Sequence, residues 1–165
     1  MQRSSKAVLA VGVALVGGFA LRQLTRAPER DEDRIRALLD GAALAAQERR
    51  IGDVVEVLSE RFAGGGLDKQ GVKRFVAGMV LRGDWVSVSV AGLAVVVEGD
   101  GARANVDVVT ARGGKGKAVS DLLPEEAAAH RIACRLAREG SDWRVVGAEW
   151  AQITLGEALA GPPPP

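Results

Sequence analysis

The sequence predicts an α+β protein in which helices come first and antiparallel strands follow. Three segments between residues 31 and 83 place apolar residues three and four positions apart, which is the spacing of one helix face. From residue 85 onward apolar and polar residues alternate over much of the chain, as in half-buried strands. The glycine-containing stretch 98–101 separates two such segments and predicts a hairpin turn.

Length and composition favour one globular domain without a metal or a cofactor. The chain has 165 residues, of which 47% are hydrophobic and 26% charged, so it can bury a core. Its net charge of +1 argues against a nucleic-acid binder, which usually carries a strongly basic face. A single cysteine, Cys134, excludes an intramolecular disulfide and any multi-cysteine zinc site.

The N-terminal segment predicts export or attachment to a membrane. Residues 7–21 are an unbroken run of fifteen apolar residues behind a short positive start. Fifteen helical residues span about 22 Å, less than the roughly 30 Å of a bilayer core, which suits a signal peptide. Flanking residues such as Arg22 lengthen the run enough for an uncleaved anchor. We therefore assign residues 1–30 to a signal or anchor plus a linker, place the protein at the cell envelope, and leave the side of the membrane open.

The three helical segments have recognisable starts. The first begins at the acidic residues 31–33, whose charges suit the N-terminus of a helix. A second begins at Asp53, and its apolar stripe reaches Phe62. After a glycine-rich loop, a third helix runs from Asp68 to near Gly83.

The strand region contains one ambiguous stretch. Residues 85–98 and 103–111 are predicted strands, and residues 143–153 form another. Between them, residues 123–140 begin like a helix, with proline, glutamates and alanines, but then alternate like a strand. Residues 157–165 end in four prolines that favour polyproline II, so a disordered tail is expected, with a ligand of the PxxP type as the alternative.

The order of these segments resembles the NTF2-like (SnoaL-like) superfamily. The similar parts are the Gly52-Asp53 break, the Leu58-Ser59-Glu60 stretch before Phe62, and a closing hairpin with Asp142-Trp143-Arg144-Val145. The resemblance covers about residues 31–155 and implies helices on the concave face of a curved antiparallel sheet. It also implies a cone with an internal pocket, a mostly extended 123–140 segment, and an outer sheet face that often dimerises. We therefore delimit an NTF2-like domain at 31–156 and expect a homodimer formed through the sheet.

Three residues are candidates for the pocket: Asp107, His130 and Trp150. Asp107 lies between valines on a strand and faces either solvent, the simpler expectation, or a pocket where burial would make it a base. His130 and Cys134 are about 13 Å apart along a strand, too far for a hydrogen-bonded pair. In this superfamily, enzymes of the ketosteroid isomerase type pair an acidic base with a tyrosine. This chain has no tyrosine, so no such constellation is carried over.

A basic stretch, TARGGKGKAVSDLL at residues 110–123, raises the question of a phosphate-binding loop. Its GK pair matches the end of a P-loop, but Ala118 stands where a hydroxyl ligand for magnesium is required. We interpret the stretch as a solvated loop. Its cations Arg112, Lys115 and Lys117 can contact a partner or acidic lipid headgroups.

Three hypotheses about function follow. The first is a non-enzymatic, membrane-tethered or exported binding or assembly module for a small molecule or protein, because catalytic partners are missing. The second is a small-molecule isomerase, cyclase or dehydratase in which Asp107 and His130 act as acid and base, which requires both to point into the cone. The third is an adaptor that uses Arg112, Lys115 and Lys117 on an acidic surface.

Overall fold

Two layers, one helical and one a sheet, make up the residues that the computed structural model describes, 30–82, 87–111 and 127–165. The helical layer comprises α1 (Asp31–Gln47), α2 (Ile51–Glu56) and α3 (Lys69–Arg82). The sheet comprises β3 (Ser87–Glu98), β4 (Gly101–Ala111), β5 (Ala127–Glu139) and β6 (Asp142–Ile153). A small hairpin, β1 (Ala63–Gly64) with β2 (Leu67–Asp68), joins α2 to α3, and α4 (Leu155–Ala160) follows β6. The predicted α+β class is confirmed.

The sheet is antiparallel throughout, in the order β3-β4-β5-β6. β5, which the sequence left ambiguous, is a strand of 13 residues that pairs with both β4 and β6. Register shifts occur between Val90 and Gly92 on β3, and between Val145 and Gly147 on β6, opposite Arg135 and Leu136 of β5. Bulges of this kind bend a strand and increase its twist, so the sheet curves around the helices.

The inner face of the sheet, defined as the face toward α1 and α2, carries the main core. Strand alternation places Val106 of β4 and Leu136 of β5 on this face, where they pack against Ile35 of α1 and Val55 of α2. The buried members of this cluster are Ile35, Leu39, Val55, Leu58, Phe62, Ala102, Ala104, Val106, Cys134, Leu136, Trp143 and Val145. The residues between them along each strand must therefore point to the opposite, outer face.

Polar contacts of Asp31 fix the start of α1 to the end of the sheet. Trp143 Nε1 donates a hydrogen bond to Asp31 Oδ1 at 3.1 Å, and the Arg138 guanidinium donates to the other carboxylate oxygen. The Arg138 guanidinium also lies 4.8 Å from the centre of the Trp143 ring. The hydrogen bonds from Trp143 and Arg138 hold the pKa of Asp31 below its usual value. Asp31 was expected only to favour the start of a helix. In the structure it also connects α1 to β5 and β6.

α2 is shorter than predicted, because it ends at Glu56 instead of reaching Phe62. The backbone after it pairs with the edge strand β6: Ser59 N donates to Val145 O at 2.9 Å, and Val145 N donates to Val57 O at 3.0 Å. Phe62 is nevertheless buried, as its apolar spacing indicated. The apolar spacing correctly predicted that Phe62 is buried and wrongly predicted that it lies on a helix. The edge of β6 offers backbone hydrogen bonds that compete with a further helical turn.

The end of the chain differs from the disordered tail expected from residue 157. The Thr154 side chain accepts a hydrogen bond from Glu157 N, and the Glu157 carboxylate accepts one from Thr154 N, which is a capping box at the start of α4. Ala158 is fully buried against Val109 and Ala129 on the outer face of the sheet. Capping and burial together hold a short helix that its composition alone does not predict.

Two predicted features lie outside the described residues: the apolar segment 7–21 and the basic loop with Arg112, Lys115 and Lys117. Both stay predictions. None of the helices in the described ranges is long and apolar enough to span a bilayer. Residues Asp31–Pro165 belong to one compact unit.

Candidate functional site

An apolar cavity of about 360 Å³ lies between the helices and the inner face of the sheet. This volume is within the range of small-molecule sites, which run from roughly 300 to 1,000 Å³. Thr110 and His130 are the polar members of a lining that is otherwise aliphatic, aromatic or sulfur-containing. The rest of the lining is Leu39, Ala42, Val54, Val57, Leu58, Phe62, Leu67, Val72, Phe75, Val76, Met79, Val108, Ile132, Cys134, Val145, Ala148 and Trp150.

α3 forms one wall of the cavity. Val72, Phe75, Val76 and Met79 follow the i, i+3, i+4, i+7 spacing of one helix face, and all four line the space. None of these side chains is fully buried, and Gly71 is the buried residue of this helix. The apolar stripe of α3 therefore faces a void rather than a packed core.

The polar end of the cavity is formed by neighbouring strands. Val108 of β4 pairs with His130 of β5, and alternation points Thr110 to the same face. The Thr110 hydroxyl donates to the Ala128 carbonyl oxygen at 3.4 Å. The His130 imidazole is half-buried and makes no hydrogen bond to the part of the chain that the structure describes. Among the described lining residues, Thr110, His130 and the indole N–H of Trp150 are the groups to which a ligand in the cavity could form hydrogen bonds.

An aromatic pair stands at the surface beside the cavity. The rings of Phe75 and Trp150 are stacked, with centroids 6.5 Å apart and an angle of 23° between their planes. Their side chains are 48% and 44% exposed. The Trp150 ring lies against Gly65, where φ is +55° and where a Cβ would overlap the indole. The glycines of the β1–β2 turn thus allow Trp150 to lie at the rim of the cavity.

Asp107 lies on the other side of the sheet from His130 and Trp150. Its carboxylate is fully buried on the outer face and accepts hydrogen bonds from Arg131 Nε at 2.7 Å and Arg131 Nη2 at 2.8 Å. The expectation that this carboxylate faces solvent is therefore wrong, and it does not line the cavity. A two-point pair with Arg131 compensates for the buried charge.

The predicted site residues are thus only partly brought together. His130 and Trp150 line one cavity, whereas Asp107 is turned away from it. An acid–base pair of Asp107 and His130 requires both side chains on one face, and β4 and β5 place them on opposite faces. Periodicity predicted the helix α3 but not the cavity beside it, because it shows which face of a helix is apolar and not what stands opposite that face.

Cys134 also borders the cavity. Burial raises the pKa of its thiol to about 12, so the sulfur is protonated near neutral pH. It therefore serves as a small apolar part of the wall. In the ranges that the structure describes, no group of three His, Cys, Asp or Glu side chains is arranged to hold a metal ion.

Solved structures share this fold at low sequence identity. An NTF2-like protein with a cystatin-like fold from Novosphingobium aromaticivorans aligns over 92% of both chains, with 18% identity and a TM-score of 0.56. An NTF2-like protein of unknown function from Pseudomonas putida KT2440 aligns over 71% of this chain and 82% of its own, with 18% identity and a TM-score of 0.57. Bd1075 of Bdellovibrio bacteriovorus aligns over 73% of this chain, with 11% identity and a TM-score of 0.58, and this chain spans 40% of its length.

No known family model matches the sequence, and no curated protein is similar to it. Identities this low establish the fold alone. The layers, the curved sheet and the structural neighbours define an α+β domain with an NTF2-like, cystatin-like fold. The fold that the resemblance implied is therefore confirmed.

Proposed function

We propose that this domain is a non-catalytic binding module that holds an apolar or amphiphilic small molecule in the cavity under α3. The observation that carries the proposal is the apolar stripe of α3, which faces a void of about 360 Å³. A ligand in that void removes this stripe and the opposing sheet residues from water, which is the main source of affinity in such sites.

The ligand that fits best has a long apolar part and one polar end. Thr110 and His130 supply hydrogen-bonding groups at one end of the cavity, and the remaining wall is apolar apart from the indole N–H of Trp150. A medium-chain fatty acid or a similar single-chain amphiphile meets this description. Its polar group would lie at His130 and its chain under α3.

Binding without chemistry is favoured by the state of the reactive side chains. Asp107 is buried in its pair with Arg131 on the far face of the sheet. Cys134, in the cavity wall, is protonated near neutral pH. His130 makes no hydrogen bond to an acidic or nucleophilic side chain among the residues that line the described cavity.

The proposal includes attachment to a membrane or export, which rests on the apolar run at residues 7–21. The mass of the mature protein separates the two: loss of about residues 1–20 means a cleaved signal peptide, and full length means an anchor. Assembly as a homodimer through the sheet and contact through Arg112, Lys115 and Lys117 also stay proposals. Their support comes from the resemblance and from the charges.

The test is the binding of a dansyl-labelled undecanoic acid to the full chain, followed by fluorescence. We expect a saturable rise in emission that unlabelled undecanoic acid reverses. Met79→Trp places a larger side chain in the cavity and should weaken binding about tenfold or more. Leu81→Trp makes a comparable change on the same helix at a side chain that is 88% exposed, and it should leave the affinity nearly unchanged.

Two results would contradict the proposal. One is the absence of saturable binding to the unmodified chain. The other is an equal loss of affinity in the Met79 and Leu81 variants, because the fluorescent probe would then bind outside the cavity.

A further inference from the structure

The outer face of the sheet carries a second feature that is separate from the cavity. After α4 the chain continues across this face as residues 161–165. The Pro162 ring lies on Gly92 of β3, where a Cβ would come within 2.5 Å of Pro162 Cδ. Asn105 of β4 donates a hydrogen bond from Nδ2 to the Pro163 carbonyl oxygen at 3.0 Å. A proline segment is therefore already seated on β3 and β4.

The exposure of the four prolines fits the three-residue turn of a polyproline II helix. Pro162 and Pro165 are half-buried, whereas Pro163 and Pro164 between them are exposed. Polyproline II has three residues per turn, so residues three apart share a face. Its backbone makes no internal hydrogen bonds, so a site that recognises it must supply donors to its carbonyl groups. Asn105 is such a donor.

The surface beneath the tail is made shallow by small residues. Gly92 of β3 leaves room for one proline ring, and Ala133 of β5 is a small residue that borders the space beside the last two prolines. A groove of about 340 Å³ continues beside the last two prolines, bordered by Arg103, Asn105, Ala133, Arg135 and Glu149. A proline-rich segment longer than residues 161–165 would gain contacts with this groove.

We propose that the outer face of the sheet is a binding site for a polyproline II segment. The chain's own tail, residues 161–165, occupies the site in cis, and a proline-rich segment of a partner protein occupies it when the tail leaves. The site and the cavity lie on opposite faces of the sheet, so each can be tested without the other. A homodimer through this face would require the same displacement of the tail.

The test compares the full chain with a variant that ends at Gly161. This variant loses the four prolines but keeps α4 and the residue after it, whose N–H donates to Ala158 O. The probe is a fluorescein-labelled hexaproline peptide, and binding is followed by fluorescence anisotropy, with a glycine–serine peptide of equal length as the control. We expect the hexaproline peptide to bind the shortened chain. Binding to the full chain should be at least about tenfold weaker, because the tethered tail competes at a high effective concentration.

Point variants in the shortened chain locate the site. Gly92→Ala adds the Cβ that would meet the proline ring and should weaken peptide binding about tenfold. Gly52→Ala makes the same change on α2, where the structure shows open space around the glycine, and should have no effect. Asn105→Ala removes the donor to the peptide backbone and should weaken binding about fivefold.

Three binding results would overturn the proposal: no saturable binding to the shortened chain, equal binding to both chains, or equal effects of the two glycine substitutions. Self-association of the shortened chain in sedimentation experiments, in place of peptide binding, would assign the face to a second copy and would also overturn it. If the shortened chain does not fold by circular dichroism, a full-length variant with glycine and serine at residues 162–165 provides the same comparison.

Discussion

Replacement of Ala42 by leucine tests whether the space under α3 is a true void. Ala42 and Ala45 lie three residues apart on α1. Ala42 is half-buried and lines the cavity, whereas Ala45 is 1% exposed and closely packed. Leucine and alanine have similar helix propensities, so the two substitutions differ mainly in the space that surrounds each side chain.

The expected energies have opposite signs. Leucine adds three carbon atoms, which contribute about 0.8 kcal/mol each when fully covered, or about 2 kcal/mol together. Ordering the side chain removes roughly 0.5–1 kcal/mol. We therefore expect Ala42→Leu to raise the free energy of unfolding by about 1 kcal/mol. Ala45→Leu has no space to enter and should lower it by about 1–3 kcal/mol.

The assay is urea unfolding of the two variants and the parent chain, followed by circular dichroism and fluorescence. The midpoint should rise for Ala42→Leu and fall for Ala45→Leu, with similar slopes for all three chains. Ala42→Leu should also weaken binding of the dansyl-labelled undecanoic acid, because the new side chain occupies the space that the fatty acid needs. If Ala42→Leu destabilised the protein as much as Ala45→Leu, the cavity would be closed in solution and the reasoning refuted.

Two further predictions concern Asp107 and Cys134. Asp107→Asn should lower the free energy of unfolding by about 3 kcal/mol, because it leaves the Arg131 charge without its buried partner. Fatty-acid binding by the folded variant should stay unchanged. Loss of binding in a stable variant would place the carboxylate in the cavity. Cys134 should react with Ellman's reagent at pH 8 about a thousandfold more slowly in the folded chain than in the unfolded one, since a pKa of about 12 leaves roughly one thiolate in ten thousand. The rate should rise about tenfold per pH unit, and rapid labelling of the folded chain would show an exposed thiol.

Strand parity was predictable because it depends on adjacent residues. Alternation in the sequence correctly placed Val106 and Val108 on one face of β4 and Asp107 on the other. The stretch that became β5 was ambiguous on its own residues, and the resemblance implied a strand there; its pairing with β4 and β6 satisfies hydrogen bonds along its whole length. For the faces of β4 the information lay within a dozen residues of chain.

The surroundings of those faces could not be read from the same pattern. Asp107 was expected in solvent, yet it is buried, on a face where Ala158 of α4 packs beside it on Val109 and Ala129. Residues 107 and 158 are far apart in the chain, and no local pattern near either one records their proximity. The position of the cavity under α3 could likewise not be read from periodicity, because a void and a packed layer demand the same apolar residues on the helix.

The sequence by itself determined the α+β class, the order of most elements and the two faces of each long strand, because periodicity arises from the geometry of a helix or a strand alone. Only the tertiary structure decided that His130 and Trp150 share a cavity, that Asp107 pairs with Arg131 away from it, and that the proline tail lies on β3 and β4. These relations depend on how elements that are far apart in the chain pack against one another. That packing depends on the total burial and hydrogen bonding of the chain, and no single stretch of residues specifies it.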